Sequence, residues 1–152
     1  LFKALQTTET DMTIFFRLLA NLDSQKEQED AALLDIISPA HYRPPDAESA
    51  ATMVKWLRTY QQRLQQDYVM KGEMQSERRA RMNRANPKYV LRNYMAQQAI
   101  DKATEGDFSE VNNLLQLLRN PYDEQPEYDM YFARRPEWAR TKAGCSMLSC
   151  SS

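Results

Sequence analysis

The sequence predicts an all-α protein, about six helices in an irregular bundle, and three observations carry that prediction. Apolar residues recur at three- and four-residue steps in several separate segments, the period of a helix with one buried stripe. No segment alternates apolar and polar residues as a half-buried strand does, and no internal repeat is visible. Prolines and glycines fall between the periodic segments, where they act as helix boundaries.

Met12, Phe15, Phe16, Leu19 and Leu22, behind a Thr/Asp-rich start, predict a first helix that ends near Asp23-Ser24. A short helix over Ala31 to Ile37 precedes Pro39, and Pro44-Pro45 forces an extended connector. From about Ala47, the residues Met53, Leu57, Tyr60, Leu64 and Tyr68 alternate four- and three-residue steps, which predicts a long helix packed along another. Gly72 is its stop or bend. Residues 73–85 are polar and basic; Pro87 breaks any helix there and, at a first helical turn, opens the next. In that next helix Leu91, Met95, Ala99 and Ala103 repeat every fourth residue. Gly106 supplies a left-handed cap, and Asp107 with Glu110 makes a capping-box-like start for a last long helix. Its buried stripe is expected at Val111, Leu114, Leu115 and Leu118. After Pro121 the sequence predicts a short helix and ordered loops. Residues 1–140 thus read as one helical region, and 141–152 as a flexible tail carrying cysteine.

Composition bounds the function classes. At 152 residues, with 42% hydrophobic and 27% charged content, the chain is long enough for one ordinary domain, and a net charge of −1 gives no global attraction to nucleic acid or membrane. The first residue is Leu1, and the amphipathic run Leu1 to Leu5 suggests an element cut from a longer protein. No apolar run approaches the ~20 residues of a spanning helix. Only two cysteines, Cys145 and Cys150, are present, which fits a reducing compartment better than a disulfide scaffold.

Little unaided chemistry is encoded. Gly72, Gly106 and Gly144 stand too far apart for a phosphate-cradling loop, so an ATP site is not expected in these residues. His41 is the only histidine and reads as a surface or packing residue, because a metal or catalytic role needs convergent partners. Asp123, Glu124, Glu127 and Asp129 read as a solvated acidic loop, since they lack cation-ligand spacing. Trp56, Trp138 and the tyrosines at 122, 128 and 131 read as packing residues.

Arg78, Arg79, Arg81, Arg84, Lys88 and Arg92 put six cations within fifteen positions. Such a run either holds a phosphate-bearing partner or forms an exposed helix whose arginines pair with Glu73, Glu77 and neighbouring acids; the second reading is favoured. Arg92 stands apart on an otherwise apolar helix, where it pairs with a carboxylate or lies near an anionic ligand; Arg84 is the companion candidate.

Several motifs carry a resemblance. Asn86-Pro87-Lys88-Tyr89-Val90-Leu91-Arg92-Asn93, Gln97-Gln98-Ala99-Ile100, Gly106-Asp107-Phe108-Ser109-Glu110, Pro121-Tyr122-Asp123-Glu124-Gln125-Pro126-Glu127, Pro136-Glu137-Trp138-Ala139 and Ser149-Cys150-Ser151-Ser152 resemble the C-terminal region of the selenoprotein O family. Asp11-Met12-Thr13-Ile14-Phe15-Phe16-Arg17 and Trp56, Tyr60, Arg63-Leu64 are more weakly similar. The resemblance implies a kinase-like protein adenylyltransferase that uses ATP and magnesium to transfer AMP to protein hydroxyls, with its catalytic lobe upstream. This chain is then expected to pack on that lobe and to be inactive alone. Its implied partners are that lobe and protein substrates, with neither nucleic acid nor membrane.

The resemblance also implies a redox tail, because a cysteine or selenocysteine stands third from the end in the family, where Cys150 stands here. Leu148 replaces the cysteine that the common selenoprotein ending has two residues earlier. Two pairings stay open: Cys145 with Cys150, or Cys150 with a cysteine of the upstream lobe. Both thiols are expected to reach solvent. The ordinary cysteine points to a bacterial cytoplasm, with a mitochondrion as the alternative. A second class of function is a free-standing helical interaction module.

Overall fold

The computed structural model describes residues 1–23, 25–26, 28–142 and 144–145. Among them it contains seven α-helices, three 3₁₀ turns and no strand, so the all-α expectation holds. No helix among the described residues is long and apolar enough to cross a membrane. The chain divides into two compact units, residues 1–86 and 87–152.

In the first unit α1 covers Phe2–Leu5, α2 Met12–Leu19, α3 Asp30–Ile37, α4 Ala47–Lys71 and α5 Gln75–Ala85. Asp11 starts α2 by accepting the Ile14 N–H at 3.1 Å, and Asp46 starts α4 by accepting that of Ser49 at 2.8 Å. Gly72 ends α4 with φ at 66°, a left-handed conformation that favours glycine, and its N–H reaches the Tyr68 carbonyl at 2.7 Å. Ile14, Phe15, Leu19, Leu22, Leu33, Ile37, Met53, Leu57 and Leu64 are buried. α2 stops at Leu19, earlier than expected, and Met12 is exposed. The 3₁₀ turn Ser38–Ala40 brings the chain back beside residues 9–11: Asp11 donates to Ala40 at 2.8 Å and Tyr42 to Glu9 at 2.9 Å.

In the second unit α6 covers Asn93–Thr104 and α7 Ser109–Arg119, followed by 3₁₀ turns Pro126–Tyr131 and Glu137–Arg140. Pro87 does not open a helix. Residues 87–92 are non-helical because the Lys88 and Tyr89 N–H groups both donate to the Pro121 carbonyl, at 2.8 and 3.1 Å. Tyr89, Tyr94, Met95, Ala99, Leu114, Leu117, Ala139 and Cys145 form the core, with Leu118, Tyr128, Tyr131 and Phe132 against it. Leu91, Val111 and Leu115, expected inside, are exposed.

Gly106 adopts φ at 87° and closes α6, as its sequence position predicts. The capping box expected after it is not formed. Asp107 instead accepts the Ser109 N–H at 2.8 Å, while Glu110 pairs with Lys102 at 3.2 Å and accepts the Tyr131 hydroxyl at 2.8 Å.

Candidate functional site

The basic segment folds as α5 plus the extended stretch after it, and its cations go to different tasks. Arg78 is buried, 5% exposed, although an exposed helix was expected. Its Nη2 donates to the Ala20 carbonyl at 3.0 Å and also to the Leu22 carbonyl, and its Nε donates to Gln75 at 3.2 Å. Burial lowers its pKa from the ordinary value, with nearby Tyr60 opposing that shift.

Arg17, on α2, makes the reciprocal contact. Its Nη1 donates to the carbonyls of Asn83 and Asn86, each at 2.9 Å, at the end of α5. Each helix therefore presents an arginine to the open carbonyls at the end of the other, where cation and helix dipole attract. The family-like segment Asp11-Met12-Thr13-Ile14-Phe15-Phe16-Arg17 is thereby explained as architecture: Asp11 caps its start and Arg17 caps a neighbour.

Arg81 pairs with Glu73 at 2.7 Å, as the sequence reading expected, and Glu77 accepts the Met74 N–H at 2.9 Å instead of pairing with an arginine. Arg79 and Arg84 are exposed on α5. Arg92 is half-buried at the position preceding α6, so it flanks that helix rather than lying on it. Of the four arginines on α5, Arg78 and Arg81 are thus engaged within the first unit.

Lys88 joins the two family-like segments of the second unit. Its Nζ meets Glu124 at 2.7 Å and Asp129 at 2.6 Å, and it lies 5.3 Å from the centre of the Tyr89 ring. The Tyr89 hydroxyl donates toward the Gln125 carbonyl at 3.0 Å and lies 3.2 Å from Asp129. Burial opposes the Lys88 charge, but hydrogen bonds to Asp129 and Glu124 outweigh it and raise its pKa. The Lys88 hydrogen bond in turn lowers the pKa of Asp129. Tyr131 is pushed up to about 12, by burial first and then by its bond to Glu110. These groups are held in charged or hydroxyl forms at neutral pH, which suits a clasp rather than proton transfer.

His41 is buried and its Nδ1 lies 2.9 Å from the Thr10 hydroxyl, consistent with packing. Trp56 stacks on Tyr60 with ring centres 5.2 Å apart, and Trp138 meets Tyr94 edge-on at 6.2 Å. No group of acidic, histidine or cysteine side chains among the described residues can hold a metal ion.

The tail expectation divides. Cys145 is 5% exposed, in the core of its unit, which corrects the expectation that both thiols reach solvent. Lys142 pairs with Asp101 at 2.6 Å, and a Cβ at Gly144 would collide with Gln97, so the chain is closely packed as it reaches Cys145. Cys150 lies outside the described residues. The sequence pointed to Arg92, Arg84 and the two cysteines; it missed Arg17, Arg78 and Lys88 as the pivots. The one local signal was Arg17, a cation inside the apolar run Phe15-Phe16-Arg17-Leu18-Leu19.

Comparison with known proteins bears on this arrangement. A family model described as protein adenylyltransferase SelO matches residues 1–119. The protein nucleotidyltransferase YdiU of Nitrosospira multiformis is 46% identical over 174 positions, covering 100% of this chain and 30% of that protein. The YdiU proteins of Rhodopirellula baltica and an Azoarcus species are 50% and 51% identical, each over 97% of this chain and over 28% and 27% of their own lengths. The chain spans less than a third of the length of these relatives.

Proposed function

The chain belongs to the protein adenylyltransferase SelO family, and from that premise we propose that it is the C-terminal part of a protein nucleotidyltransferase. The reaction proposed is transfer of AMP from ATP, with magnesium, to protein Ser, Thr or Tyr hydroxyls. The ATP- and magnesium-binding groups are assigned to a kinase-like lobe outside these residues, on which this region packs.

One observation carries the reading: the chain is 46–51% identical, along 97–100% of its length, to proteins named nucleotidyltransferases. The internal use of Arg17, Arg78 and Lys88 supports a supporting role for this region, because its strongest cations hold helix ends and loops together. The protein is assigned to a bacterial cytoplasm, in line with bacterial relatives such as those of Nitrosospira and Azoarcus.

The test is incubation with ATP labelled on its α-phosphate, magnesium and a protein acceptor. The longer protein should transfer label and residues 1–152 alone should not; transfer by residues 1–152 alone would overturn the division of labour.

Cys150 is proposed as a reversible redox site of the same protein. Buried Cys145 is a poor partner for exchange, since a thiol must be reached to react. A cysteine of the upstream lobe is therefore the proposed partner. Mass mapping of the oxidised longer protein should find that bond; a thiol at Cys150 that stays free throughout oxidation would remove the assignment.

A further inference from the structure

The helix α7 carries more apolar surface than its own unit covers. Leu114 and Leu117 are buried and Leu118 is half-buried on one side. Val111 and Leu115, with Phe108 at the position just before the helix, follow at three- and four-residue steps beside them and are 40%, 51% and 58% exposed. At 3.6 residues per turn the two sets together span roughly 180° of the helix circumference, whereas a surface helix needs a stripe of roughly 100°. On the side away from the core the uncovered part is bordered by exposed Asn112 and Arg119. Ile100 on α6, which packs against α7, is also exposed.

This stripe is held in place before any partner arrives. The Lys102–Glu110 pair and the Tyr131–Glu110 hydrogen bond tie α7 to α6 and to the following turn. An apolar stripe at helical spacing, rimmed by polar residues on a fixed helix, is the form that packs into another apolar surface.

The occupant follows from length, and it rests on the reading that the chain is part of a longer protein. Relatives matched along nearly all of this chain are covered over only 27–30% of their own lengths, so more than two-thirds of such a polypeptide is absent here. Covalent connection gives that polypeptide an effective concentration no separate partner matches. We propose that Phe108, Val111 and Leu115 are the seat on which the remainder of the same polypeptide docks, through an apolar segment of its own.

Photo-cross-linking from Phe108→p-benzoylphenylalanine in the longer protein tests this. The expected product is an intramolecular cross-link to a peptide outside residues 1–152, lost in a second variant that adds Leu115→Glu and retained in one that adds Gln116→Glu. Cross-links only to residues 1–86, cross-links between isotopically distinct copies, or no cross-link at all would each overturn the proposal. So would loss of the cross-link in both second variants. ATP label transfer is assayed separately on the unsubstituted protein. Its absence would remove the enzymatic reading while the cross-link map still decides the docking.

Discussion

The two compact units solve the problem of open helix ends and loops with opposite materials. Every buried polar or charged side chain among the described residues lies in residues 1–86: Asp11, Arg17, His41, Ser49 and Arg78. Two of these, Arg17 and Arg78, serve carbonyls at helix ends. In residues 87–145 the buried set is apolar, tyrosine or cysteine, and the loop-fastening charges at Glu124, Asp129 and Lys142 stay near water, although the Lys88 side chain between Glu124 and Asp129 is only 10% exposed. The difference shows where outside partners can be sought. In the first unit Arg17, Arg78 and Arg81 are occupied internally while Arg79 and Arg84 stay exposed, and both units turn apolar side chains outward, Val69 and Met70 at the end of α4 and Val111 and Leu115 on α7.

The largest expected effect comes from the two sides of α7. Leu117→Ala empties a buried position and should cost about 2–5 kcal/mol in denaturant unfolding, while Leu115→Ala in the same chain should cost far less because that side chain is half exposed. Equal losses would abolish the distinction between a covered and an uncovered side. In the longer protein the Leu115 effect should grow if the docking proposed above occurs.

Arg78→Met sharpens the other half of the comparison. It removes the Arg78 donor from the Ala20 carbonyl and one of two donors from the Leu22 carbonyl, which keeps Gln75 Nε2, and should cost about 1–3 kcal/mol. Arg81→Met removes only a surface pair with Glu73 and should change the unfolding midpoint little. A harmless Arg78→Met would mean that water serves those carbonyls equally well.

The fates of these residues mark how far the sequence could be read. Helix number, the long α4, and the Gly72 and Gly106 caps were legible because each depends on residues within a turn or two. The covered side of α7 was not: the apolar arc is so wide that its period identifies a helix without choosing which part meets the core. Pro87 reads locally as a helix opening, but Lys88 and Tyr89 are drawn to the Pro121 carbonyl, more than thirty residues away, which no local pattern reveals. Arg78 reads like its exposed neighbours for the same reason, since the carbonyls it serves lie just beyond the end of α2. Composition places Cys145 in a flexible tail, and the core it joins is visible only in three dimensions.

Gly106→Ala tests a conformational requirement without a packing change. Nothing lies within 4 Å of a Cβ built there, so the penalty is that of holding φ at 87°. It should be about 1–2 kcal/mol. A neutral result would show that α6 ends equally well with the chain turned another way.

The smallest effect is the pH dependence of the Lys88 clasp, and its sign follows from both partners. Asp129 has its pKa lowered below the ordinary 3.8, first by its hydrogen bond from Lys88, so its contribution is present above 3.8 and is lost as pH falls through the folded value. For Lys88, burial disfavours the charge but bonds to Asp129 and Glu124 raise the pKa above the ordinary 10.5. Its contribution is present below 10.5 and is lost as pH rises through the folded value. The clasp is therefore complete across the neutral range. Because Asp129 is exposed, salt screens the pair and keeps the effect small. Thermal unfolding of the native chain and Asp129→Asn should differ most near neutral pH in low salt, and the difference should shrink on acidification and on adding salt. An offset that ignores both would mean that Asp129 acts through packing, and the second unit would then be fastened by contacts other than the Lys88 ion pairs.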